Sequence, residues 1–243
     1  MKRLLFLFTL LAISVVMKAN AATVPLFQLG EYVFAGTLYV DNDAANNGSF
    51  SEAAGVGNIT EIRDGGGLLF WDNSTEELNM SFSGFNRNAL VPGLGGTTQF
   101  SSDGGIVDFW TNSLGTFQAT GDYILDTIAI SGGALRLSLT GAIDTFGNSA
   151  VGQFSPTAYS SNGQLDVVGG EWLNVFDTNL IMLGDGTIVD TTFNISGDNT
   201  ATAGYDFSGS ADLATNAVPE PEPMLLLSLG LLAAGYIGRT KPV

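Results

Sequence analysis

Three groups of residues in this chain have types and spacings that could do chemistry. The first pairs an indole with an acid: Trp71 precedes Asp72, Trp110 lies two residues after Asp108, and Trp172 follows Glu171. Sugar rings offer CH faces for an aromatic platform and hydroxyls for carboxylates or amides. In Ile106–Thr111, Val107 and Phe109 form one apolar face, which leaves Trp110 and Asp108 side by side on the other. That pair is the candidate sugar contact. Core packing, with each indole N–H bonded locally, is the competing reading for all three tryptophans.

The second group is Asp41, Asp43 and Glu52, which fall at positions 1, 3 and 12 of a calcium loop. Position 5 is Ala45 and position 6 is Asn46 where a glycine is needed, and the segment before it reads as a strand. An EF-hand is thereby excluded. A looser calcium site in an acidic turn remains, and no other cofactor is expected.

The third group is the carboxylates as catalysts. The chain has no His and no Cys, which removes Ser-His-Asp triads, imidazole proton shuttles and ordinary zinc sites together. A glycan hydrolase needs two carboxylates about 5–9.5 Å apart. Residues 22–217 hold 22 acids, so some pair at that distance is inevitable and the count is no evidence. No Asp-Thr-Gly or Asp-Ser-Gly occurs, and Gly93-Leu94-Gly95-Gly96 lacks the Lys-Ser/Thr of a phosphate loop. A non-enzymatic protein is the expectation, with a sugar-binding module and then a carboxylate hydrolase as alternatives.

The elements that would carry these residues read as short strands. Leu78–Ser83 and Leu135–Thr140 alternate apolar and polar residues and each then meets a glycine, and Tyr205–Gly209 is a shorter version. Further strands are expected at Tyr32–Val40, Gly57–Arg63, Leu68–Asp72, Ile106–Thr111, Tyr123–Ile130, Gln164–Val168, Trp172–Phe176, Leu180–Leu183 and Thr187–Ile195. Asp64-Gly65, Asp103-Gly104, Asn162-Gly163 and Asp185-Gly186 punctuate them with tight-turn chemistry. Many short strands at close spacing predict an all-β chain with one antiparallel sandwich or jelly-roll domain over 22–210. Ala211–Ala217 reads as a polar spacer.

Charge and the chain ends describe where such a domain goes. Residues 22–217 carry three basic residues against 22 acids, a formal charge of −19. That field repels phosphate backbones and excludes nucleic acid as a partner. Met1-Lys2-Arg3, the apolar stretch Leu4–Met17 and the small residues Ala19 and Ala21 form a secretory leader, cut by signal peptidase after Ala21. The absence of cysteine favours a bacterial exported protein stabilised by its core.

At the other end, Val218-Pro219-Glu220-Pro221 is followed by an uncharged apolar run, Met224–Gly238, and then by Arg239 and Lys241. Prolines present an extended segment, and basic residues hold the far side of a membrane segment in the cytoplasm. Fifteen residues as a helix reach about 22 Å, short of the roughly 30 Å bilayer core. This layout resembles the PEP-CTERM sorting signal of Gram-negative exported proteins, which places the signal at 218–243. Glu222-Pro223 adds a second, overlapping Pro-Glu-Pro, the basic cluster is sparse, and Pro242-Val243 follows it.

The resemblance implies transient anchoring of a short C-terminal hydrophobic helix in the inner membrane. It implies cleavage by an exosortase at or near Pro-Glu-Pro, then release to the cell surface or medium. It further implies association with exopolysaccharide, biofilm or floc formation, with extracellular polysaccharide as a candidate partner. Gly57-Asn58-Ile59-Thr60-Glu61-Ile62, Leu165-Asp166-Val167-Val168-Gly169-Gly170 and Phe176-Asp177-Thr178-Asn179 are similar to the bodies of a group of PEP-CTERM proteins with no activity to transfer.

Overall fold

The computed structural model describes residues 30–41, 51–199 and 204–218. The leader with Ala19 and Ala21, Asp43, Pro219–Pro221, the apolar run and the basic pair Arg239 and Lys241 lie outside the described residues.

Twelve strands, two α-helices and a 3-10 turn at Leu94–Gly96 are described: β1 (Gly30–Asp41), β2 (Glu52–Asp64), β3 (Leu69–Asp72), β4 (Glu77–Pro92), β5 (Thr98–Asn112), α1 (Tyr123–Ile130), β6 (Ala134–Gly141), β7 (Ala150–Phe154), β8 (Ala158–Gly169), α2 (Leu173–Phe176), β9 (Ile181–Met182), β10 (Ile188–Val189), β11 (Thr191–Asp198) and β12 (Phe207–Ala217). Eight of the strands form a ring in the order β1-β12-β11-β8-β6-β5-β4-β2, and β2 pairs back onto β1. The ring is antiparallel throughout. It is a closed barrel, and the expected sandwich or jelly roll is overturned. A sandwich has two sheets with free edges, whereas β1 is matched along eleven residues to β12 and along ten to β2.

One slot of the wall holds two strands end to end. β6 fills it between Ile106–Thr111 of β5 and Leu165–Gly169 of β8, and β7 fills it between Thr98–Ser102 and Tyr159–Gly163. The chain leaves the wall between them as an outward loop. Thr145 in that loop donates its N–H and hydroxyl to Asp185, at 3.0 and 2.9 Å, in the turn joining β9 and β10.

Alternation along each strand sends Phe34, Ile59, Leu78, Phe109, Leu139 and Leu165 inward, each under 2% exposed. Eight strands enclose an interior just wide enough for such side chains to fill it. Glycine makes the aromatic filling possible. Gly55 sits against Phe82, Gly152 against Phe100 and Gly163 against Phe193; a methyl group at Gly163 would lie 2.7 Å from the Phe193 ring.

The ends are closed differently. At one end α2 brings Trp172 and Phe176 to ring-centre distances of 6.4 and 5.7 Å from Phe34. Asp190, 1% exposed, locks this plug by accepting from the backbone N–H of Val167, Thr178 and Asn179 at 2.9, 2.7 and 2.6 Å. At the other end the Arg87 guanidinium lies over Phe100 at 4.7 Å and Phe154 at 5.4 Å.

Three expected elements change. Tyr123–Ile130 is a helix, because Asp122 caps it by accepting from the N–H of Ile124 and Leu125 at 3.0 and 3.1 Å. Trp172–Phe176 is almost entirely the single-turn helix α2. Ala211–Ala217 is no spacer: it is the second half of β12, with Ala211, Leu213, Thr215 and Ala217 all buried.

Candidate functional site

Trp110 leaves the barrel wall on its outer face beside Asp108, as the alternation predicts, yet it is 8% exposed. The reason is α1 and the loop before it. Trp110, Val56, Ile130 and Tyr205 form a second apolar cluster outside the barrel, with Tyr39, Phe117 and Tyr123 packed around it. α1 is held down by Asp126, 2% exposed, which accepts from the N–H and hydroxyl of Thr120 at 2.9 and 2.6 Å and from the Tyr205 hydroxyl at 2.7 Å. Burial and the adjoining Asp126 carboxylate push the Tyr205 phenol far above its ordinary range. Asp108 accepts from the Ser138 hydroxyl at 2.5 Å. The structure thus brings the proposed sugar pair together on one face and covers its indole, so this site is corrected to a packed one. Trp172 is 5% exposed in the α2 plug.

Beneath α1 the wall is polar as well as aromatic. Asn58 and Asn79, 8% and 0% exposed, pair through the Asn58 amide N–H and Asn79 Oδ1 at 2.8 Å, and the Asn79 Nδ2 has no partner among the described residues.

Of the calcium candidates, Asp41 ends β1 and Glu52 begins β2. The Glu52 carboxylate accepts from the Gly84 N–H at 3.0 Å, which turns it into the strands. Among the described residues no group of three acids is placed to hold a metal ion.

The barrel interior is a poor ligand chamber. Its cavity is about 30 Å³, walled by Phe82, Phe85, Phe100 and Phe193 with the Ser102 hydroxyl buried and unpartnered. Small-molecule pockets run to about 300–1,000 Å³. Burial in this wall pushes the Tyr159 phenol up, against the opposing pull of Arg87.

One buried and one half-buried polar group carry no signal in the sequence. Arg136, 5% exposed, donates from Nε to the Thr111 hydroxyl at 2.7 Å and from Nη1 to Glu171. Asp166 stands near Asp190 and Asp177; burial first, then the Asp190 charge, raises its carboxyl above the ordinary range.

The open concave surface lies where β5, β7 and β8 meet, away from the β2 and β4 strands that α1 packs on. Gln99, Gln153, Ser160 and Asn162, with Val151 between them, line a shallow groove of about 450 Å³ where β5, β7 and β8 run side by side. Sequence alternation alone could not single it out, because β7 is an unrecognised strand there. No family model, no curated protein and no solved structure matches this chain. Among the described residues no helix is long and apolar enough to cross a membrane.

Proposed function

We propose that this chain is an exported surface or extracellular-matrix protein of a Gram-negative bacterium. It is processed by signal peptidase and exosortase and serves exopolysaccharide-rich biofilm or floc formation through its surface, without catalysis. The ordered layout at the tail carries this reading: Val218-Pro219-Glu220-Pro221, an uncharged run, then Arg239 and Lys241, opposite a leader ending in Ala19-Asn20-Ala21.

The barrel is compatible with it. β12 ends at Ala217, so the first Pro-Glu-Pro begins two residues beyond the last strand residue. Cleavage there removes nothing from the wall. A body charge of −19 keeps the released domain dispersed in the medium.

Intact-mass measurement of the protein from cells with and without an exosortase tests the proposal. The expected product begins at Ala22 and ends among residues 218–223 only when the exosortase is present. Retention of Met224–Val243 in both strains removes the reading.

A further inference from the structure

We propose that the outer face of β5, β7, β8, β11 and β12 is a binding surface for a neutral polysaccharide, centred on the groove lined by Gln99, Gln153, Ser160 and Asn162. The inference stands on the barrel's geometry and goes beyond the tail-based reading.

Strand register builds the face in rows. Gln99 is matched to Gln153, Gln153 to Ser160, Ser160 to Ser196 and Ser196 to Ser210. A second row matches Ser101 to Val151, Val151 to Asn162 and Asn162 to Asn194. Neighbouring members of a row stand about 4.8 Å apart, the strand spacing, so the first row is a ladder of amides and hydroxyls across the wall and the second is the same ladder interrupted by Val151. Among the described residues the amide side chains of Gln99, Gln153, Asn162 and Asn194 make no hydrogen bond. Each offers donors and an acceptor to a ligand without first breaking an internal contact.

Charge decides the class of ligand. Residues 22–217 hold 22 acids, yet neither row has an acid or a base before Asp212, which follows Asn194 at its margin. Asp103, Asp166 and Asp198 bound the face on β5, β8 and β11. An anionic polymer meets the repulsive field of the molecule, and a cation finds no cluster of carboxylates on the face. The surface is hydrophilic, with Val151 its one exposed apolar side chain in the groove, which disfavours the apolar core of a stable contact between two copies. An extended peptide would need an unpaired strand edge, and the closed ring denies one here. A long, uncharged polyhydroxyl chain laid across the rows satisfies all of these conditions.

Affinity electrophoresis of the full chain, purified as cells process it, through gels holding dextran, mixed-linkage β-glucan or alginate tests the proposal. Retardation by at least one neutral glucan and none by alginate is expected. The combined substitution Gln99→Ala, Gln153→Ala and Asn162→Ala removes exposed side chains only and leaves thermal unfolding unchanged. It should lower the association constant by on the order of tenfold or more. No retardation by either neutral polymer, or retardation unchanged in the triple variant, overturns the proposal. So does a concentration-dependent dimer that the variant abolishes while neutral polymers bind neither protein. Intact mass, read on the same samples, reports tail processing separately, so failure here and failure of the sorting reading are distinguishable.

Discussion

Asp166 and Asp190 are both acids near the α2 plug, and their surroundings give them opposite roles. Asp190 accepts three backbone N–H groups and joins β8 to the segment after α2. Asp166 has a buried Oδ1 without a partner and faces the charges of Asp190 and Asp177. Its folded pKa is raised by burial and by those charges. The stability linked to it is therefore fully present below the unfolded value, about 3.9, and is lost as pH rises through the higher folded value. Asp166→Asn keeps the shape and removes the charge. Thermal unfolding should show a higher melting temperature for the variant at pH 7 and no gain at pH 3. A gain equal at both pH values would show that charge is not the cause. Nothing in Leu165-Asp166-Val167-Val168 distinguishes this acid from the other acids of the body, because its neighbours come from distant segments.

At the scale of elements, α1 shows where local sequence misleads. Tyr-Ile-Leu-Asp-Thr-Ile-Ala-Ile is rich in β-branched and aromatic residues, and its strand-like composition prevails in a reading by propensity. The Asp122 cap and the Asp126 latch prevail in the folded chain, since together they satisfy the first turn and anchor its buried side. Several of the strands that frame the barrel are legible from alternation, β6 and the second half of β5 with the outward direction of Trp110 among them, whereas β7 and most of β12 are not. What covers Trp110 was not, because Thr120, Asp126 and Tyr205 meet only through tertiary contact. Tyr205→Phe removes one donor from Asp126 and leaves the ring packing in place. The expected cost is about 1–2 kcal/mol, with faster amide exchange confined to residues 120–131 and easier acrylamide quenching of Trp110 emission. Uniform loss of protection across the barrel would show that α1 is an integral part of the wall and no separate cover.

Closure belongs to the whole molecule, and its dependence on residues 211–217 is the feature the sequence concealed most completely. Those residues, Ala-Asp-Leu-Ala-Thr-Asn-Ala, mix small and polar side chains with a single leucine and break strict alternation at Leu213-Ala214 and Thr215-Asn216, so they suit a spacer as well as a strand. In the fold they supply seven of the eleven residue pairs that β12 makes with β1, from Gly36↔Ala211 to Gly30↔Ala217. They also supply five of the eight pairs it makes with β11, from Ile195↔Ala211 to Thr191↔Thr215. A chain ending after Ser210 would open the ring on both sides of the gap and expose two strand edges, a template for aggregation. It would uncover Leu213 and the interior beneath it, against a total stability of only about 5–15 kcal/mol for an ordinary domain. A chain ending after Val218 keeps every pair and the hydrogen bond from the Val218 N–H to the Val175 carbonyl at 2.8 Å. The expected outcome is cooperative unfolding at the full-length temperature for the chain ending at Val218, and an aggregated or unfolded product for the chain ending at Ser210. Equal stability of the two would mean that β12 does not close the barrel. A lower melting temperature for the Val218 chain than for the full chain would place part of the fold's stability in the segment that the proposed processing removes.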